Sequence, residues 1–205
     1  MTSCGPVRRT PDYSEEKIRM PERRNFFVIT GGPGAGKTSI VERLAARGFQ
    51  TVAEAGRDIL RQQVAIGGTA VHWADAAAYR DLMLQRGMDD YERMQREADG
   101  PVFFDRGVTE LVGYCQLIGV PVPDHVRRAA ELYRYNRLVF LAPPWPEIYA
   151  NDDLRKQHAA EAMRSSELAG EVYVEFGYDV VEVPRAPVAE RAAFVLARAE
   201  AAMDA

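Results

Sequence analysis

The eight residues Gly31-Gly32-Pro33-Gly34-Ala35-Gly36-Lys37-Thr38 constrain this chain more than any other stretch. They fill every fixed position of G-x-x-x-x-G-K-[ST]. In such a loop the backbone N–H groups wrap nucleotide phosphates, the lysine reaches the β- and γ-phosphates, and the hydroxyl ligates Mg²⁺. The loop needs a buried strand before it and a helix after it, because the helix N-terminus adds its positive pole to the anion site. Both flanks are present. Asn25-Phe-Phe-Val-Ile-Thr30 is an apolar, β-rich run, and Ser39 to Ala46 reads as a helix that Gly48 ends. Gly32, Gly34, Ala35, Gly36, Lys37, Thr38 and Ser39 are therefore the expected nucleotide-binding set, with ATP and Mg²⁺ as the ligands.

The rest of the chain alternates in the same way. Short apolar runs at Gln50–Ala53, Pro101–Asp105, Arg137–Ala142 and Tyr178–Val183 read as strands two to five. Helical stretches are expected over Ala55–Ala65, over Trp73–Ala98 with a break at Gly87, over Val108–Leu117, and over Asp124–Tyr135 with Asp124 as its cap. Further helices are expected from a cap in Asn151-Asp152-Asp153 to Glu175, and from Val188 onward. Leu84, Met88 and Tyr91 form part of one apolar stripe, and Val188, Ala192, Val195 and Ala199 another. Strands alternating with helices give an α/β fold: a parallel sheet covered on both faces, with functional loops at the carboxyl ends of the strands. Residues 1–24, rich in Pro and Arg and poor in apolar side chains, read as a flexible extension. Residues 25–205 form the expected single domain, with a helical insert over 73–98 and a lid over 145–165.

A 47% hydrophobic composition supplies one α/β core. The net charge of −4 argues against a nucleic-acid partner, which demands a basic face. Cys4 and Cys115 are too far apart in sequence, one in a tail, to suggest a disulfide scaffold or metal site, which fits a reducing cytoplasm. No apolar run approaches the roughly 20 residues that span a bilayer, so no membrane partner is expected. A homodimer is left open.

Phosphoryl transfer needs a cradle, Mg²⁺, positive charge on the moving group and a positioned nucleophile. Thr38 is one metal ligand, and Asp105, ending an apolar strand, is the candidate second; the alternative for Asp105 is a helix cap. Arg106 can touch phosphate or be structural. Glu54 ends strand two on the active edge, as a general base or substrate ligand, or as an acid that only complements a helix dipole. Glu54, Arg57, Asp58 and Arg61 share one helical face, and Arg57 can pair with phosphate or with Glu54. Arg155 and Lys156 can close over ATP as part of a lid, or be a solvated face. The Pro184–Pro187 loop is placed near the adenine. His72 and Trp73 are candidates for an acceptor pocket, against the plainer readings of a surface histidine and a core tryptophan.

Five segments occur together and in order: Val28-Ile-Thr-Gly-Gly-Pro-Gly-Ala-Gly-Lys-Thr38, Glu54-Ala-Gly-Arg57, Phe103-Phe-Asp-Arg-Gly107, Asn151-Asp-Asp-Leu-Arg155 and Phe176-Gly-Tyr178. In this the chain resembles a family of small bacterial P-loop ATPases of AAA type, itself similar to the ribosylnicotinamide kinase domain and to nucleoside and nucleotide kinases. The resemblance covers about Asn25 to Ala199. It implies a kinase-like core with strand order 2-3-1-4-5, Lys37 and Thr38 on phosphates and Mg²⁺, and Asp105 with Arg106 as the nucleoside-kinase acid–arginine pair. It also implies Glu54 facing the acceptor hydroxyl and Arg155 as lid arginine. In this chain Asp-Arg-Gly stands where better-known members carry Asp-Arg-Ser or Asp-Arg-Tyr.

The expected catalytic set is thus Lys37, Glu54, Asp105 and Arg155. Glu54, Arg57 and Arg106 are the expected substrate-side residues, and Thr38 and Asp105 the metal ligands. The leading expectation is a kinase that moves the ATP γ-phosphate to a hydroxyl of a small, nucleoside-like metabolite. The alternative is a nucleotide switch that hydrolyses slowly and acts through a protein partner. A ring-forming motor is disfavoured, since only about 25 residues follow strand five, too few for a helical lid domain. No Asn/Thr-Lys-x-Asp guanine motif occurs, which leans toward adenine.

Overall fold

The computed structural model describes residues 22–145 and 156–204, with side chains of 156–162 excepted. Five strands, β1 (Phe26–Thr30), β2 (Gln50–Val52), β3 (Val102–Asp105), β4 (Leu138–Leu141) and β5 (Asp179–Glu182), form one sheet in the order β2-β3-β1-β4-β5. Every pairing is parallel, with Phe26 opposite Val102 and Val28 opposite Val139. The helices are α1 (Lys37–Ala45), α2 (Gly56–Ile66), α3 (Ala76–Glu97), α4 (Glu110–Leu117), α5 (Asp124–Leu132), α6 (Lys156–Glu175) and α7 (Val188–Asp204).

The sheet is central because its inner strands are apolar on both faces, as parallel strands must be when helices cover both sides. Alternation along β1 divides the core. Phe27 and Ile29, with Phe103 and Phe140, pack under α1 and α7 against Ile40, Leu44, Val195 and Ala199. Phe26 and Val28, with Phe104 and Val139, pack on the other face against Tyr91, Tyr135, Tyr173 and Tyr178. A third cluster, around Leu84, Val108, Val112, Val126 and Val172, ties α3, α4, α5 and α6 together.

Several local expectations are corrected. α3 runs unbroken through Gly87, and begins at Ala76 rather than Trp73, because the Asp75 carboxylate accepts a hydrogen bond from the Ala78 N–H and fixes the first turn there. Gly87 is a contact glycine: a Cβ would lie 3.2 Å from Val108 Cγ2. Asp124 is the first residue of α5 and not its cap; extended Pro123 holds that position. In α7, Ala192, Val195 and Ala199 are buried, but Val188 at the helix start is exposed. The expected Asn151–Asp153 cap lies outside the described residues.

Candidate functional site

The carboxyl ends of β1, β2 and β3 converge on the phosphate loop. Two glycines of the loop are dictated by its geometry. Gly31 has φ 135° and a Cβ there would stand 2.3 Å from the Ala142 carbonyl oxygen; Gly36 has φ 76° and a Cβ would meet the Arg191 guanidinium at 2.6 Å. Gly36 then hands over to α1, which carries Lys37, Thr38 and Ser39 in its first turn. Thr38 and Ser39 are exposed, whereas Lys37 is buried.

The Lys37 ammonium folds back on the loop, donating to the Gly31 and Gly32 carbonyl oxygens at 2.9 Å each. Burial, and next the Arg106 charge, lower its pKa from 10.5 to about 7. Thr38 Oγ1 donates to Asp105 Oδ2 at 2.9 Å, joining the loop to the end of β3. The other Asp105 oxygen, Oδ1, is buried and has no protein partner. Burial raises the Asp105 pKa, opposed by Lys37 and the Thr38 hydrogen bond. A hydroxyl and a carboxylate with a free buried oxygen form the hard oxygen donor set that suits Mg²⁺, so the residues fit that ion. Asp105 caps no helix; α4 starts five residues later, after Thr109.

Arg106 is the one non-glycine residue with positive φ among the described residues, at 73°. Such a backbone costs of order 1–3 kcal/mol and persists only where the surroundings hold it. Two carboxylates do so. Glu54 Oε1 lies 3.2 Å from Arg106 Nε, and Glu110 pairs with its Nη1. Glu110 in turn accepts from the Thr30 hydroxyl at 2.9 Å, which anchors the group to β1. Of the partners weighed from sequence, Glu54 pairs with Arg106 rather than with Arg57, and Arg106 lies between two acids. Arg57 is exposed on α2, and Asp58 and Arg61 form an exposed ion pair at 3.0 Å beside it. Arg155 lies outside the described residues, as do the side chain of Lys156 and the rest of 146–155 in the expected lid.

A cavity of about 540 Å³ opens beside this cluster. Glu54, Asp105, Arg106 and Glu110 line it with Pro33 of the phosphate loop, as do Tyr79, Met83, Leu111, Tyr114 and Leu168. Burial, then Glu54, push the Tyr79 hydroxyl up to about 12. His72 reaches the cavity, its ring against Trp73 at 4.6 Å, but Trp73 is 64% exposed and so is not a core residue. On the opposite side of the loop, Arg191 of α7 donates to the Ala35 carbonyl at 2.7 Å and lies 5.8 Å from the centre of the Trp145 ring. Arg185, in the Pro184–Pro187 loop, donates to the Pro144 carbonyl at 3.3 Å, so the loops after β4 and β5 meet there.

Glu110 and Arg191 are additions to the set read from sequence. Each left a signal. Glu110 stands four residues after Arg106, the spacing of a helical ion pair. Arg191 interrupts the apolar stripe of α7, and a charge on a buried face needs a partner.

This fold, with its phosphate loop closing on a strand-end aspartate, defines a P-loop nucleotide-binding protein of kinase-like topology. The family model for the AAA domain AAA_28 matches residues 26–191, and the chain belongs to that family. Among solved structures it is similar to the YorR protein of Bacillus subtilis in complex with phosphorylated GDP: TM-score 0.54 and 12% identity over 85% of this chain and 95% of that one. It is equally similar to a thymidylate kinase of Ehrlichia chaffeensis: TM-score 0.54 and 13% identity over 87% and 99%. Curated relatives include the tRNA modification GTPases MnmE of Bartonella tribocorum, 36% identical over 41% of this chain, and of Paramagnetospirillum magneticum, 38% identical over 47%. The matches span only 22% and 23% of those relatives' own length. No helix among the described residues is long and apolar enough to cross a membrane.

Proposed function

We propose that the protein is a small-molecule kinase that transfers the γ-phosphate of ATP to a hydroxyl of an acceptor seated in the cavity. The observation that carries this reading is the juxtaposition of a cavity with the phosphate loop across the Glu54–Arg106–Glu110 and Asp105 group. A nucleotide hydrolase needs room for one water; a cavity of about 540 Å³ has room for a second substrate.

In this reading the loop N–H groups and Lys37 hold the triphosphate, the Lys37 ammonium turning from the loop carbonyls to the phosphate oxygens. Mg²⁺, held by Thr38 and Asp105, would supply charge neutralisation to the β- and γ-oxygens. Glu54 accepts the acceptor's hydroxyl proton as its oxygen bonds to the γ-phosphorus and the bond to the β-phosphate oxygen breaks, releasing ADP. Arg106 keeps Glu54 aimed into the cavity. Trp145 and Arg185, on the loops after β4 and β5, border the adenine. The site belongs to one domain over 25–205 and works in the cytoplasm, without nucleic acid.

The test is transfer of label from γ-labelled ATP to a panel of nucleosides, sugars and amino alcohols. A labelled acceptor is expected. If none is labelled, and hydrolysis occurs only with a protein partner, the kinase reading fails. The partial similarity to GTPases favours a second reading, a guanine-nucleotide switch. Acceptor-independent turnover of GTP in preference to ATP would select it.

A further inference from the structure

The acceptor cavity has a charge balance that restricts what can enter it. Among the described residues, four carboxylates and one guanidinium line it: Glu54, Asp90, Asp105 and Glu110 against Arg106. Asp90 is already neutralised, its two oxygens held by Arg86 at 3.0 Å and Arg93 at 2.8 Å. Asp105 belongs to the donor side through Thr38. What faces an acceptor is Glu54, Arg106 and Glu110, two negative charges and one positive. His72, the remaining basic side chain on the lining, is exposed.

Recognition of a phosphate monoester takes free guanidinium or ammonium N–H groups aimed at its oxygens. The Arg106 charge is already offset from two sides, since Glu54 lies against Nε and Glu110 pairs with Nη1, and Glu110 is itself fixed by Thr30. A monoester carries about −1.5 to −2 charges into a group that is already net negative. The remaining lining is mostly apolar, with His72, Tyr79, Tyr135 and Ser165 as its other polar members, and the Tyr114 hydroxyl is buried without a protein partner, so it offers a hydrogen bond to whatever occupies the cavity.

We propose that the cavity takes an unphosphorylated alcohol, neutral or cationic and about the size of a nucleoside, and rejects nucleotides and sugar phosphates. This rests on the reading of the cavity as the acceptor site. It separates a kinase acting on a free metabolite from one acting on a nucleoside monophosphate, a distinction that the shared fold leaves open.

The experiment is calorimetric binding to the full chain, loaded with Mg²⁺ and a non-hydrolysable ATP analogue. The panel consists of nucleosides, sugars and amino alcohols, each paired with its own monophosphate. At least one free alcohol is expected to bind, and its phosphate ester to bind about tenfold or more weakly. Glu110→Gln, which keeps an oxygen for Thr30 but releases Arg106, is expected to shift that ratio about tenfold toward the ester. A monophosphate that binds as tightly as its alcohol overturns the proposal, and so does a panel in which nothing binds. If the variant does not fold, the wild-type ratio still decides. A free alcohol that binds with the expected preference but is never phosphorylated removes the kinase reading and leaves the charge assignment standing. Phosphorylation of a monophosphate acceptor does the reverse.

Discussion

Gly107→Ala tests whether the site is held in shape by the aromatic cluster beneath it. A Cβ at residue 107 would stand 2.8 Å from the Tyr173 hydroxyl, 2.9 Å from Tyr135 Cε2 and 3.1 Å from Val28 Cγ2. None of the three can yield into solvent, because Tyr173, Tyr135 and Val28 are all fully buried. Tyr135 is further fixed by the Val108 N–H, which donates to its hydroxyl at 3.1 Å. Adding one methyl to a packed core costs about 1–3 kcal/mol, and contact on three sides puts this case toward the upper end. In a domain of this size each kcal/mol lowers Tm by roughly 2–4 °C, so a fall of about 5–10 °C is expected. Urea titration measures it, with an unchanged slope showing that only stability has moved. Gly100→Ala is the control, since a Cβ there meets nothing within 4 Å, and a change of no more than about 0.5 kcal/mol is expected. Tyr173→Phe in the Gly107→Ala background removes the nearest atom and should restore part of the loss. If Gly107→Ala stays within about 0.5 kcal/mol of the native chain, the packing account is wrong. If it holds, Asp-Arg-Gly in place of Asp-Arg-Ser or Asp-Arg-Tyr reflects the tyrosines under the turn rather than the acceptor above it.

Glu54→Gln should leave ATP affinity near native, since Glu54 touches Arg106 and not the loop, while transfer falls by roughly 10²-fold or more; an unchanged rate removes Glu54 from the chemistry. Lys37 gives a pH signature. With a folded pKa of about 7 against 10.5, the unfolded chain holds a proton that the folded chain has lost between those values, so stability rises with pH across that window. Nucleotide phosphates restore the charged form, so binding within the window should take up a proton, seen as a buffer-dependent calorimetric heat, and Lys37→Met should abolish the uptake. Arg191→Lys shortens the reach to the Ala35 carbonyl; nucleotide affinity should drop about tenfold, with the far-ultraviolet circular dichroism unchanged. Equal affinity in the two proteins would make Arg191 a bystander.

The sheet and the phosphate loop were legible because their signals are local. A run such as Asn25 to Thr30 states its burial in its own composition, and Gly31 to Thr38 states its ligand in its own spacing. Strand order came from resemblance, since nothing in a strand's own sequence names its neighbours. The cluster beside the cavity was legible only in outline. Glu54 and Arg106 were each marked, but their pairing depends on β2 and β3 lying side by side, and 52 residues of sequence separate them. The sequence offered Arg57 as a partner for phosphate or for Glu54, but on α2 it is turned out to solvent. Glu110 looked like any acid in a first helical turn until Thr30 and Arg106 closed around it. The expected break at Gly87 failed for a related reason: glycine reads as a breaker in isolation, but Val108 packs against that point of α3, where a Cβ would lie 3.2 Å from its Cγ2.

The hydrogen bond from Arg191 to Ala35 spans 156 residues of sequence. During synthesis the guanidinium that steadies the phosphate loop leaves the ribosome 156 residues after Ala35. Nascent chains stalled ahead of residue 191 would carry the complete motif without its brace, and would hold nucleotide weakly if at all. The brace on the phosphate loop is therefore completed only once α7 has been made.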